Sequence, residues 1–214
     1  MEGSAKQHFI ESYFGAFGQR IDRLQQIRKP FPDEAFTLCL VYIDRLASGH
    51  FGGNAGLNRR NFSRALKELS GNPLFGMIHP RQVMRRARHD FPSAVPIIRS
   101  VINRQRNTLV LEDELASEIR KSTLLETDKT KLVENLWRAS IANIVYDHIR
   151  VAEVHGPGSG GLSFDKTVYA GNTGVTLDFD MFYNALGQIL EKVRKVSMAT
   201  GQWFGNPDYM RERC

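Results

Sequence analysis

Hydrophobic positions recur at helical spacing along most of the chain, and they predict a mainly helical protein. In residues 6–28 apolar side chains recur at steps of three and four while glutamines and arginines fill the other face, which predicts an amphipathic helix. Prolines at 30 and 32 interrupt this pattern. Asp33 is the predicted N-cap of a second helix, which ends near Ser48. Its residues are apolar nearly all round, so we expect this helix to be the most buried.

The second half of the chain shows one long pattern and then a change of period. Apolar residues continue at helical spacing over residues 129–154 and predict a helix long enough to cross the domain, which a Gly-Pro-Gly sequence then ends. Segments 162–169 and 174–179 flank a glycine-rich turn and predict a small β-hairpin. Asp180 is the predicted cap of a last helix that ends near Thr200.

These elements predict a single domain over residues 1–214. Two long helices come early and two late, as in an antiparallel four-helix bundle, and the hairpin precedes the last helix. Residues 52–125 would form an insertion of smaller helices, including predicted helices at 59–70 and 110–122.

The insertion contains a concentration of arginine. From residue 81 to 106 the only acid is Asp90, so the segment carries +6, as much as the whole chain of 214 residues. The arginines of this basic segment are Arg81, Arg85, Arg86, Arg88, Arg99, Arg104 and Arg106. Such a segment can be an RNA-binding surface that contacts phosphates, or a plain solvated face.

Composition excludes several other classes of protein. The two cysteines form no disulfide framework, and no His, Asp, Glu or Cys group has the spacing of a metal site, so we expect neither a metal nor another cofactor. We find no secretion signal, no apolar run long enough to cross a bilayer, and no phosphate-binding or hydrolase motif. We therefore expect a cytoplasmic protein without membrane contact.

The strongest candidate for chemistry is Arg150 with His155, just before the glycine stop. Five residues of regular helix would place them about 140° apart, but a terminal turn can bring them together, and the helix C-terminus favours a charged imidazole. Arginine suits a phosphate, and histidine can move the proton of an RNA 2′-hydroxyl, so the pair fits metal-independent cleavage or nucleotide binding. Spacing alone is weak evidence, because Arg45 and His50 have the same spacing.

The context of this pair resembles the HEPN-domain family. There, an Arg-x4–6-His motif closes the third long helix of a four-helix bundle, and here Tyr146-Asp-His-Ile-Arg150-Val-Ala-Glu-Val-His155-Gly156 is similar to it. Residues 6–50 resemble the opening helix pair, and residues 129–204 the second half. The basic segment lies outside the resemblance.

The resemblance implies a dimeric endoribonuclease that works without a metal, in some members as a toxin or a phage-defence component with an antitoxin or regulatory partner. Arg150 and His155 would be the catalytic pair, and Tyr146, Asp147 and Glu153 could line the cleft. Active members usually have a polar residue where this chain has Val151, and Pro157 stands where silenced members have a tyrosine. The alternative is a catalytically inactive HEPN module that binds nucleotide, RNA or a protein partner.

Overall fold

The structure is a computed structural model that describes residues 2–52, 57–105, 108–147 and 178–209. These residues are mainly helical and contain no β-sheet, which confirms the prediction of a helical protein. The predicted hairpin lies outside the described residues, except for its last two positions. The α-helices within these ranges are α1 (Glu2–Arg28), α2 (Pro32–Phe51), α3 (Asn58–Arg64), α4 (Pro80–Asp90), α5 (Val95–Arg104), α6 (Glu112–Lys121), α7 (Glu126–Asn135), α8 (Ile141–Val145) and α9 (Phe179–Thr200).

Helices α1, α2 and α9 pack against one another and bury an aromatic-rich core. The apolar stripe of α1, from Ile10 to Leu24, faces this core, although Phe9 is exposed. At one end of α1 Arg28 forms an ion pair with Asp180 at 2.5 Å, and at the other end Gln7 donates to the Met198 carbonyl at 3.3 Å. These two contacts show that α9 runs antiparallel to α1.

Two predicted helix caps are wrong, each by two residues. Helix α2 begins at Pro32, so Phe31 is the N-cap and Asp33 lies in the first turn. There the negative charge of Asp33 interacts favourably with the positive end of the helix dipole. Helix α9 begins at Phe179, because the side chain of Asp178 accepts from the Met181 N–H at 2.9 Å and caps it. The strand predicted to end at residue 179 therefore cannot include Phe179, which is helical and buried.

A second hydrophobic core lies in the middle of the chain. It is built from α4, α5, α6, α7 and the turns between them, and its buried side chains are aliphatic. Ile78 crosses this region in extended conformation and forms isolated antiparallel bridges with Val110 and with Ser140. The second core extends to residue 139, beyond the end that the sequence suggested for the insertion.

The predicted continuous helix over residues 129–154 is wrong within its described part. Helix α7 ends at Asn135, a 3-10 turn spans Leu136–Ala139, and Ser140 is extended before α8 begins. The Ser140 side chain accepts from the Asn143 N–H and caps α8. Periodicity misses this break because buried apolar residues continue on both sides of it, while the pairing of Ser140 with Ile78 is a tertiary contact.

In the described ranges, every helix is too short or too polar to cross a lipid bilayer.

Candidate anion-binding site

The residues with the most specific predicted chemistry lie outside the described residues. These are Arg150, His155 and Glu153, together with Arg106 of the basic segment. The chain is described up to Asp147, three residues before Arg150. Tyr146 is half-buried, with its ring 5.4 Å from that of Phe62.

Asp147 is held by two side chains from different elements. Arg59 of α3 donates through Nη2 to Asp147 Oδ2 and through Nε to Asn143 Oδ1 at 2.8 Å. Asn143 is buried, and its Nδ2 donates to Asp147 Oδ2 at 3.3 Å and to the Arg138 carbonyl at 2.7 Å. The side chains of Arg59 and Asp147 remain 39% and 28% exposed, so a ligand can reach them. Packing of α3 against α8 therefore fixes a guanidinium and a carboxylate at Asp147, three residues before Arg150 in the sequence.

Two further arginines lie close to this ion pair. Arg86 of α4 and Arg138 of the 3-10 turn line one cleft, whose wall also includes the acid Asp90 and the apolar Phe91 and Leu136. The Nε atom of Arg86 is buried and has no hydrogen-bond partner among the described residues. An unmade hydrogen bond at a buried charged donor is costly. We call Arg59, Arg86 and Arg138, together with Asp147, the arginine cluster.

The electrostatics of Arg86 reflect an excess of positive charge. Burial lowers the pKa of its guanidinium, and the charges of Arg59, Arg138 and Arg85 lower it further, whereas Asp147 acts in the opposite direction. An arginine stays charged under physiological conditions even so. The arginine cluster has three positive groups and one negative group, and a bound anion would relieve the repulsion among the guanidinium groups.

The predicted RNA-binding arginines are distributed over three settings. Arg86 belongs to the arginine cluster. Arg104 forms an ion pair with Glu118 at 2.6 Å, which also holds the pKa of that carboxyl below its usual range. The remaining described members are exposed, with Arg99 on α5 and an outer stripe on α4 formed by Arg81, Arg85 and Arg88.

Sequence reasoning did not identify Arg59 or Arg138 as site residues. Both lie outside the basic segment, and they approach Arg86 only because α4 packs against the 3-10 turn while α3 packs against α8, the helix that follows that turn. His79 is buried, and its Nδ1 accepts from the Arg81 N–H at 3.2 Å and caps α4.

Arg45 and His50, which share the spacing of the predicted catalytic pair, anchor the C-terminal segment. Arg45 donates to the Tyr209 hydroxyl at 2.7 Å, and its guanidinium lies 5.6 Å from the centre of the Phe204 ring. His50 Nδ1 donates to the Phe204 carbonyl at 2.7 Å. These contacts give both residues a structural role.

No group of three metal-ligating side chains capable of holding an ion occurs in the described parts of the chain. Comparison with known proteins gave no match, neither to a family model, nor to a curated protein, nor to a solved structure.

Proposed function

We propose that the protein binds RNA through its phosphates at the arginine cluster, and that Arg150 and His155 cleave the bound strand. The observation that carries the binding part is the position of the arginine cluster. Arg59 forms an ion pair with Asp147, Arg86 has electrostatic interactions with Arg59, Arg138 and Asp147, and Asp147 is three residues before Arg150 in the sequence. The predicted catalytic groups therefore follow this cluster directly in the sequence.

The exposed arginines near the arginine cluster support a long polyanion as the ligand, as opposed to a small anion. The outer stripe of α4 adds exposed arginines on the element that carries Arg86, and each can neutralise a phosphate without reading sequence. An RNA strand that crosses α4 would meet this stripe and the arginine cluster in succession. RNA is therefore our proposed partner.

The cleavage step uses the chemistry of the two side chains. Arg150 would bind a non-bridging oxygen of the scissile phosphate and stabilise the charge that develops on it. His155 would take the proton of the 2′-hydroxyl as that oxygen attacks phosphorus, or give a proton to the departing 5′-oxygen. The products would be a 2′,3′-cyclic phosphate and a 5′-hydroxyl end.

We place this activity in a HEPN-type bundle that acts as a homodimer, in which two Arg-His pairs would share one cleft. The mutual packing of α1, α2 and α9 supports a bundle of this kind. A role as a toxin or defence component, with a regulatory partner, is part of the same proposal.

A catalytically inactive RNA-binding module is the second candidate. Val151 favours it, because active members of the resembled family usually have a polar residue there. The break at Ser140 favours it too, because the motif would no longer close one continuous long helix.

The test combines binding with cleavage on purified protein. We expect the unmodified chain to fragment RNA, and Arg150→Ala and His155→Ala to abolish fragmentation while still binding RNA. His8→Ala, an exposed histidine on α1, is the matched control and should retain activity. The fragments should end in cyclic phosphate, which treatment with acid and phosphatase would reveal.

Three outcomes separate the two candidates. Fragmentation that persists in both variants excludes the Arg150 and His155 assignment. Salt-sensitive RNA binding with no fragmentation by the unmodified chain supports the inactive module. RNA binding that is absent at low salt overturns both candidates.

A further inference from the structure

His79 is a buried histidine at the junction where the second core begins and ends. Its amide donates to the Ala139 carbonyl at 2.9 Å, and the preceding Ile78 forms the two isolated bridges of this region. His79 is 5% exposed, and its side chain caps α4. We propose that His79 makes this junction sensitive to acid, because a proton on its ring breaks the cap of α4. This acid sensitivity is a property of the fold and does not depend on RNA binding.

The hydrogen bond at the cap determines which ring nitrogen carries the proton of the neutral ring. The Arg81 N–H donates to Nδ1 of His79 at 3.2 Å, so Nδ1 is unprotonated and the proton is on Nε2. The His79 carbonyl also accepts from the amides of Gln82 and Val83, both at 3.1 Å. A second proton would have to bind Nδ1, where it would face the Arg81 N–H. Protonation therefore replaces the cap bond with a repulsive contact between two donors.

The positive charges around the cap also disfavour an imidazolium. The first turn of α4 contains Arg81 and no acid, and the N-terminus of a helix carries a partial positive charge. The 3-10 turn that accepts the His79 amide contains Arg138, and α5, which packs on α4, has only basic charged residues. Burial adds to the cost, because a buried charge loses its hydration.

The other described elements at the junction do not offset this positive charge. Glu112, at the start of α6, is the acid that follows the bridging residue Val110 most closely, and it is already paired with Lys67. The 3-10 turn Pro73–Gly76 and helix α8, which flank the junction along the chain, contain no charged residue. The described surroundings of His79 therefore favour its neutral ring.

The sign of the pH dependence follows from proton uptake. Histidine in an unfolded chain takes up a proton at about pH 6.5, whereas the folded junction requires the neutral ring. The unfolded state therefore binds more protons below that pH, so the stabilisation is complete above about pH 7 and decreases as the pH falls. One proton can change the unfolding equilibrium constant by at most about tenfold for each pH unit.

The experiment follows urea unfolding of the full chain at pH 7.5, 6.5 and 5.5. Trp137, in the 3-10 turn of the second core, is the fluorescent reporter, and Trp203→Phe removes the other tryptophan from every protein compared. His79→Asn is the test variant, because the side-chain oxygen of asparagine caps a helix and does not titrate. From pH 7.5 to pH 5.5 the unfolding equilibrium constant should rise by about tenfold more with His79 than with the variant. His89→Asn, at an exposed histidine of the same helix, is the matched control and should keep the full response.

A second measurement needs no substitution of His79. Nitrogen-15 NMR of its ring in the folded protein at pH 7.5 should show a proton on Nε2 and none on Nδ1, and a proton on Nδ1 would overturn the proposal. Equal pH responses with His79 and with His79→Asn would overturn it as well. A response that is also lost in His89→Asn would assign the effect to the exposed end of α4 and exclude the cap. None of these measurements involves RNA, so the acid-sensitive cap and the proposed function are tested separately.

Discussion

Two arginine sites in this molecule differ in how many of their guanidinium groups have partners within the protein. Arg45 donates to Tyr209 and lies over the ring of Phe204, so its guanidinium has both a hydrogen-bond acceptor and an aromatic partner. In the arginine cluster, Asp147 is paired with Arg59, and Arg86 has a buried donor without a partner among the described residues. The first arrangement has its partners within the protein, and we propose that an anion binds at the second. Sequence spacing does not separate the two kinds of site, because it is the same for Arg45/His50 as for Arg150/His155.

The largest expected effect on stability comes from the site around Arg45, where Phe204 is buried. Phe204 is 1% exposed, and Tyr13, Phe14 and Tyr209 pack around its ring. Phe204→Ala should lower the free energy of unfolding by about 3–5 kcal/mol, measured by denaturant titration, because it leaves a cavity in the core. RNA affinity of the folded fraction should not change. A loss of RNA affinity beyond the loss of folded protein would contradict the structural role.

The next effect lies in the arginine cluster. Replacing Arg86 and Arg138 together by alanine should weaken RNA binding by about 2–3 kcal/mol, since charged hydrogen bonds to phosphate are lost. The slope of log affinity against log salt should fall by about 0.7 for each lost contact with a single strand. Fluorescence anisotropy at several salt concentrations measures both quantities. Replacing Arg20 and Arg23, which are exposed on α1, is the matched control and should leave both unchanged.

A smaller effect is expected at Arg45. Arg45→Ala removes a half-buried hydrogen bond and a cation-π contact, so it should lower the free energy of unfolding by about 1–2 kcal/mol. Arg45→Lys should recover part of this loss because it keeps the charge. If Arg45→Ala reduced RNA binding without changing stability, the division between the two arginine sites would be wrong.

The smallest effect should come from Asp147. Asp147→Asn removes the negative charge that competes with a bound phosphate but keeps a group that can accept from Arg59. RNA affinity should therefore rise by about threefold, within the range of a single exposed charge contact, and the salt dependence should steepen. A fall in affinity would show that the Asp147 carboxylate acts in binding through its charge.

The sequence predicted the helices whose apolar residues keep one period, because α1, α2 and α9 bury the stripes that the pattern outlines. It did not predict the break at Ser140, where extended backbone pairs with Ile78 while apolar residues continue. Of the arginine cluster it identified Arg86 by charge density and Asp147 by proximity to Arg150. Arg59 and Arg138 could not be found in this way, because no local pattern predicts that the 3-10 turn packs on α4 or that α3 packs on α8.

Gly49 is a residue that the packing around Arg45 and Phe204 requires. A Cβ added to Gly49 would lie 2.6 Å from carbons of the Phe204 ring, so α2 needs glycine there for the ring to pack against its backbone. Glycine inside a helix costs about 1 kcal/mol relative to alanine. The segment that Arg45 and His50 hold therefore depends on a residue that helix propensity alone would disfavour.

The extended backbone at Ile78 has a consequence for cooperative opening. The amides of Ile78 and Val110 each donate to the other's carbonyl, while His79 donates to Ala139 and Ile141 donates to Met77. These bonds join three stretches of chain that are distant in sequence, so we expect the three stretches to open together. In hydrogen exchange these amides should be protected together, with a common opening free energy that reports the unfolding of the whole middle core.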